Sequence, residues 1–415
     1  MTSNTHPIQP TQPSRAPRAG TSAPGPRRPA HIAVIGTPIV SHVLPSLAIV
    51  RELVDRGHRV TYANTEHVVD LIAATGAEFV RYTSTLPVVD NDWPQDLVAA
   101  CSLVLDDAIE VLPQLRAAYD DDPADVYLHD VLAYAARPLA EAQGRDLVQL
   151  SPTFVNWKGA QEEFGAALAA MPGGDVYRAR FADWLAGCGA RTTDVDEFTG
   201  RPGRALALIP RAMQPHADRV DSDAVTFVGP CLGDRAEQGG WDRPAGSEKV
   251  LLVSLGSVVT RQPEFYRRCL AAFGGLPGWH VVLQIGKYLD PAELGEIPAN
   301  IEVRSWVPQL AILEQADAFV THAGMGGSNE GLFTGVPMIA VPQGADQFAN
   351  ADRLVELGVA RRLDTADATA DALRTALTEL TTDPRVAERS ARLRAEARSE
   401  GGARRAADLI EERLS

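Results

Sequence analysis

The sequence predicts an α/β protein: two doubly wound, Rossmann-like parallel-sheet domains facing each other across a cleft. Three observations lead there. Short apolar runs alternate with helical patterns along most of the chain. The alternation breaks once, at residues 229–247, where Gly239-Gly240 and Pro244-Ala245-Gly246 mark a polar, glycine-rich linker. The 415 residues are enough for two domains of ordinary size. The predicted division is a tail over 1–30, an N-terminal domain over 31–228, the linker, a C-terminal domain over 248–401 and a final helix over 402–415.

The tail carries Pro7, Pro10, Pro13, Pro17, Pro24, Pro26 and Pro29 with Arg15, Arg18, Arg27 and Arg28 and no acid. Such a segment buries too little to order itself. His31 to Gly36 then reads as a buried strand. A helix runs from about Pro45, with Leu47, Val50, Leu53 and Val54 on one face and Gly57 past its end. RVTYA is a strand, VVDLIAATG a helix closed by Gly76, and EFVRY a strand. DVYLHD, ending at Asp130, is a central strand; LVQLSP and RALALIP follow. The intervening stretches are helical, and Phe154, Trp157, Phe164, Tyr177, Phe181 and Trp184 there serve either to wall a pocket or simply to pack helices.

After the linker, KVLLVSLGS, WHVVLQIG, IEVRSW, AFVTHAG and MIAVPQ are the strands of a second alternating run. GGSNEGLFTG and DQFANADRLVELG are the helices after the last two. Helices also occupy the chain from about Asp371 onward.

Composition narrows the function. Hydrophobic content of 45% and charge of 22% are those of a globular protein, and a net charge of −15 argues against nucleic acid or an anionic membrane as partner. Cys101, Cys188, Cys231 and Cys269 form no close pair, which argues against a zinc or redox motif and fits a reducing cytoplasm. No apolar run reaches the length of a membrane span, and the first thirty residues hold no signal-peptide core. Asp120-Asp121-Asp122 contains an Asp-x-Asp pattern, but it precedes Pro123 in a polar loop and reads as a solvated charge run. No metal site is expected.

Chemistry concentrates between Ser305 and Leu354. Gly324, Gly326 and Gly327 remove side chains between a strand end and a helix start, where unpaired amides and the helix dipole favour an anion. His322 and Ser328 add donors. A diphosphate suits the place; an ordinary tight turn with a packed histidine is the plainer alternative. Asn329 stands where a Gly-x-Gly-x-x-Gly motif needs its third glycine, so the dinucleotide signature is absent. Trp306 offers a stacking surface, Glu330 an acceptor for ribose hydroxyls, and Asp346-Gln347 a carboxylate and an amide for sugar hydroxyls.

This order resembles the nucleotide-sugar signature of the family 1 GT-B glycosyltransferases, above all the actinobacterial macrolide glycosyltransferases typified by the oleandomycin enzymes. Trp306, Pro308, Gln309, His322, Gly324, Ser328, Glu330, Pro337, Pro342, Asp346 and Gln347 carry the likeness, which runs from about His31 to the C-terminus. The resemblance implies an inverting hexosyltransferase. Trp306 and Gln309 would meet uracil, Glu330 ribose, His322 with the amides near Gly327 and Ser328 the diphosphate, and Asp346 and Gln347 the sugar. Ser257 would approach the phosphates. UDP-glucose is the implied donor, because Thr-His-Ala-Gly resembles the turn of glucosylating, self-protecting enzymes. A macrolide or phenolic natural product is the implied acceptor, and no cofactor or metal is needed. The last helix would cross back to brace the first domain, and a homodimer is left open.

One place departs from the family. The related enzymes read His-Gly-His-Val-Asn-Pro after the first strand, and the first histidine, supported by an aspartate, deprotonates the acceptor. Here Val40-Ser41-His42-Val43-Leu44-Pro45 stands there. Val40 occupies the base position, His42 matches the second histidine, and Asp130 is kept with its expected partner missing. Three readings follow: a weak or inactive relative or base-deleted variant, with His42 retained as a structural helix-start residue; His42 acting instead; or an acceptor acidic enough to need little help. A non-catalytic nucleotide-sugar-binding protein is the alternative function, and a nucleotide-sugar epimerase a more distant one.

Overall fold

The computed structural model describes residues 29–89, 92–233, 239–256 and 260–414. The predicted tail, apart from residues 29 and 30, and Ser257 lie outside these residues, as do 234–238 of the linker. The first sheet comprises β1 (His31–Ile35), β2 (Arg59–Asn64), β3 (Glu78–Arg81), β4 (Val126–Asp130), β5 (Asp146–Ser151), β6 (Ala205–Ala207) and β7 (Val225–Phe227). The second comprises β8 (Lys249–Ser254), β9 (Trp279–Gln284), β10 (Ile301–Arg304), β11 (Ala318–Thr321), β12 (Met338–Ala340) and β13 (Ala360–Arg362). Every strand pair is parallel. Runs such as Ile32–Ile35 and Val250–Val253 are apolar at every position because both faces of the sheet are covered.

In the N-terminal half the helices are α1 (Val40–Asp55), α2 (Val69–Ala73), α3 (Leu97–Tyr119), α4 (Ala136–Gln143), α5 (Ala160–Ala170), α6 (Gly174–Gly187) and α7 (Val195–Gly200). In the C-terminal half they are α8 (Pro263–Phe273), α9 (Gln309–Leu313), α10 (Met325–Thr334), α11 (Gln347–Glu356), α12 (Ala370–Thr382), α13 (Pro384–Ser399) and α14 (Gly402–Glu411).

The two sheets repeat one topology. The first runs β3-β2-β1-β4-β5-β6-β7 and the second β10-β9-β8-β11-β12-β13. In each, the order reverses beside the first strand, between β1 and β4 and between β8 and β11. The chain leaves the two strands at such a point in opposite lateral directions, which opens a crevice at their carboxyl ends. Asp130 closes β4 at the first crevice. Gly256 and His322 follow β8 and β11 at the second.

The C-terminal segment ties the halves together. α14 buries Ala406, Ala407, Leu409 and Ile410 in the same apolar cluster as Ile32, Val50 and Leu53 of the first domain. Arg56 reaches Asp408 at 2.8 Å and Glu411 at 2.9 Å, and Nε2 of His58 lies 3.0 Å from Glu411. Between the domains, Arg353 donates to the Ala212 carbonyl at 2.7 and 3.0 Å.

Two short strands were not foreseen. β7 and β13 have three residues each, and the arginines of Ala360–Arg362 hide any apolar run. The first helix also starts earlier than Pro45 suggests. α1 begins at Val40 and carries Pro45 inside it. A proline in the opening turns removes only one internal bond, which a helix tolerates near its start.

At the junction where the chain re-enters the first domain, Glu400 Oε1 accepts the Arg211 amide at 2.9 Å. Its Oε2 is buried without a hydrogen-bond partner among the described residues. Burial pushes this carboxyl up to about 7, against a lowering by the Arg211 amide. The fold therefore holds a proton that the unfolded chain releases between pH 4.5 and 7. Stability from this group is present below its ordinary pKa and lost as pH climbs through the raised one. Glu400→Gln is expected to melt at a higher temperature than the parent above pH 7, with the gap narrowing by pH 5; thermal scans at the two pH values check this.

Candidate active site

The first crevice holds a histidine–aspartate pair. Nδ1 of His42 lies 2.9 Å from Oδ2 of Asp130. The expectation that Asp130 has lost its partner is corrected here. Because the helix starts at Val40, His42 sits in its first turn with its ring turned inward, while Val40 is 38% exposed. Residues two apart point to different sides of a helix. The inward place that the valine leaves unused belongs to His42.

The rest of the pair's surroundings fix the carboxylate. Its Oδ1 accepts the Leu132 amide at 2.9 Å and the Thr37 hydroxyl at 3.2 Å. Burial opposes its charge, but the His42 charge, the His42 hydrogen bond and the Leu132 amide hold it below the usual carboxylate range. His42 shows the reverse. Burial lowers its affinity for a proton, but the charge and hydrogen bond of Asp130, with Asp346 adding to them, raise it above the ordinary 6.5. Asp346 belongs to the other domain, so the two halves meet electrostatically at this histidine. His129, next to Asp130, is buried and lowered to about 4, with Nδ1 2.9 Å from the Asp130 carbonyl.

The second crevice is built from two glycine turns around His322. Gly256 has φ of +78° and accepts the Gln284 amide at its carbonyl, 3.1 Å away. A Cβ there would stand 2.7 Å from Cε1 of His322, and one at Gly324 would stand 2.4 Å from Nε2. Only glycine lets both turns close on the ring. Ala323 between them takes a left-handed φ of +59°, a strained conformation for a residue with a side chain. Burial lowers His322 to about 4, so at neutral pH the ring is an uncharged donor and acceptor. Its Nδ1 is buried and has no partner among the described residues.

α10 opens on Gly324, which supplies no side-chain cap, so the amides of its first turn have no such partner. The Ser328 amide donates to the Gly324 carbonyl at 3.0 Å and its side chain is fully buried. The open amides are therefore those of Met325, Gly326 and Gly327; the expected contribution from the Ser328 amide shifts one turn position earlier, because Gly324 is already the cap. Gly327 lets the helix approach Thr321, where a Cβ would come to 3.1 Å of Oγ1.

The remaining predicted residues come together around this turn. Gln309, the first residue of α9, donates to Glu330 at 2.6 Å. Glu330 is buried on α10, and Trp306 is 55% exposed beside them. Gln347 accepts the amides of Gln343 at 2.7 Å and Gly344 at 3.2 Å, which orients its side-chain amide. Asp346 accepts from Asn350 at 2.8 Å. Asn350 was missed; it is an ordinary helix residue in sequence, and only its place one turn after Asp346 reveals its task. Thr37 was missed for a similar reason. Far from both crevices, Asp122 pairs with Arg59 at 2.6 Å on the surface. No group of three or more His, Cys, Asp or Glu that could hold a metal occurs among the described residues. No helix among them is long and apolar enough to cross a membrane.

Two doubly wound sheets, with an open-amide glycine turn at one switch point and a histidine–carboxylate pair at the other, define the GT-B class of glycosyltransferases. Residues 270–412 match the family model described as the erythromycin biosynthesis protein CIII-like C-terminal domain. The oleandomycin glycosyltransferase of Streptomyces antibioticus is 57% identical over 93% of this chain and 91% of its own. An NDP-glycosyltransferase of Bacillus licheniformis is 35% identical over 92% and 97%. A solved structure of the kitacinnamycin glycosyltransferase matches 94% of this chain and 100% of its own at 53% identity, with a TM-score of 0.87. The chain belongs to the macrolide-type GT-B glycosyltransferases. It is an enzyme that transfers a sugar to a natural product.

If His42 takes a proton during turnover, the neutral ring is the active form. The rate is expected to rise with pH through a midpoint above 6.5, its ordinary value. In Asp130→Asn burial is opposed only by Asp346, so the midpoint is expected below that of the parent and the maximal rate to fall by roughly 10²-fold or more. pH–rate profiles of both proteins measure this.

Proposed function

We propose that this protein moves glucose from UDP-glucose to a hydroxyl of a macrolide-like acceptor, with inversion and without a metal, in the cytoplasm. The observation that carries the reading is the 2.9 Å contact between His42 and Asp130 at the switch point facing the donor turn. It favours His42 as the acting base over a protein that has lost one.

The acceptor oxygen would attack the anomeric carbon as the bond from that carbon to the diphosphate oxygen breaks. The acceptor proton passes to Nε2 of His42, whose Nδ1–H is already given to Asp130. Negative charge moves onto UDP. The amides of Met325, Gly326 and Gly327 and the His322 ring would receive it, and fixed donors of this kind act without reorganising. Trp306 would stack on uracil, with Gln309 beside it. Glu330 would take the ribose hydroxyls, and Asp346 and Gln347 those of glucose. The attack comes from the face opposite the leaving group, so one displacement gives the β-glycoside.

The protein's relatives include an oleandomycin glycosyltransferase and a calicheamicin glycosyltransferase. The choice of glucose rests on the Thr321-His322-Ala323-Gly324 turn.

UDP-glucose turnover with macrolide and phenolic acceptors tests the proposal. His42→Ala is expected to lower the rate by roughly 10²–10⁴-fold with UDP affinity unchanged. His322→Ala is expected to weaken UDP binding in calorimetry. Binding of UDP with no product from any acceptor overturns the transfer reading and leaves a binding protein; full turnover by His42→Ala overturns the assignment of the base alone.

A further inference from the structure

Thr37 lies in the loop between β1 and α1, 3% exposed, with no obvious task in the sequence. Its hydroxyl donates to Oδ1 of Asp130 at 3.2 Å, while His42 holds Oδ2. The two residues grip opposite oxygens of one carboxylate.

The hydroxyl is held in place from several sides. Asn64 donates to the Thr37 carbonyl at 3.0 Å, and Tyr82 donates to the Gly36 carbonyl at 2.6 Å. The Gly36 amide donates to the Ala63 carbonyl at 3.2 Å, and Nε2 of His67 lies 2.8 Å from the Pro38 carbonyl. A Cβ at Gly36 would come within 2.6 Å of Tyr62 and 2.7 Å of Asn64, so the loop is pressed against β2. Residues 36 to 38 are thus clamped by β2, the segment after it and the chain after β3. A donor clamped in this way reaches its acceptor without ordering cost at the moment of reaction.

We infer that Thr37 is a positioning residue of the proton-transfer pair: it shares the charge of Asp130, and so limits how strongly that carboxylate holds the protonated His42. The inference rests on the reading of His42 as the base. A carboxylate with fewer donors concentrates its charge on the oxygen facing the imidazole and stabilises the imidazolium more. A base that stays protonated at the working pH cannot accept the acceptor's proton. The Thr37 hydroxyl counters this while leaving Asp130 ionised and aimed. Other titratable groups around the pair are His129 on β4, Tyr62 on β2, Tyr82 after β3, Tyr134 before α4, Asp107 on α3 and Asp346 at the start of α11. Among the described residues the hydrogen bond of the Thr37 hydroxyl goes to Asp130.

The test is NMR titration of the His42 ring, its resonance assigned by its loss in His42→Ala, together with pH–rate profiles. In Thr37→Val, which keeps the shape and removes the donor, the ring midpoint is expected to rise by roughly half to one pH unit, a three- to tenfold change in proton affinity. Turnover at pH 7 is expected to fall by a similar factor, to recover by pH 9, and to leave the KM for UDP-glucose unchanged. Thr37→Ser restores both readouts; Thr37→Ala, with more room, is expected to repeat the Val result, which assigns the effect to the lost donor and not to strain. An unmoved or lowered midpoint in folded Thr37→Val and Thr37→Ala, or a rate loss equal at every pH, overturns the inference. If His42→Ala turns over normally, the base reading fails instead, and the ring titration still decides the role of Thr37.

Discussion

A carboxylate buried at the end of a parallel strand must be satisfied or it will not stay charged. Asp130 meets that requirement with an amide from its own loop, a hydroxyl from the loop after β1 and an imidazole from the first turn of α1. The same three bonds fix where the imidazole points. The start of α1, the clamp on residues 36–38 and the proton affinity of His42 all follow from keeping one buried negative charge in partnership. A valine at residue 40 is compatible with this arrangement because it faces outward and asks nothing of the carboxylate.

The donor side solves a complementary problem. In the function proposed, it presents positive potential to a diphosphate without a permanent charge that would compete for acids elsewhere. A neutral His322 between two glycine turns and an uncapped helix start supply that potential through dipoles and amide hydrogens. The cost is local: a left-handed Ala323, and three glycines inside the ten-residue helix α10. Close approach of α10 to the sheet offsets it, since Gly331 makes room for Met338, where a Cβ would come to 2.5 Å of its sulfur.

The two crevices cooperate only if the domains keep their facing. α14 returning onto α1, Arg353 on the Ala212 carbonyl and Glu400 on the Arg211 amide are the ties that hold them. Asp346, which starts α11 in the second domain, already acts on the charge of His42 in the first. A sugar held at Asp346 would therefore lie next to the group proposed to receive the proton.

The fold class and most of the donor turn were legible in the chain itself. Doubled apolar runs between helical patterns give parallel sheets, and glycines clustered after a strand mark a turn whose amides stay open; both are local consequences of backbone sterics and hydrogen bonding. β7 and β13 were not legible, because three-residue strands draw their stability from neighbours that sequence does not name. The partnership of His42 with Asp130 was not legible either. The two residues are 88 positions apart, and whether a helix begins at residue 40 or 45 rotates the imidazole into or out of the crevice. Thr37, Asn350 and Glu400 likewise acquire their tasks only from what the folded chain brings within 3 Å or so of their polar atoms. Sequence thus determined which groups are available and the period on which they repeat; tertiary packing decided which oxygen faces which nitrogen, because a hydrogen bond depends on distance and angle and not on order along the chain.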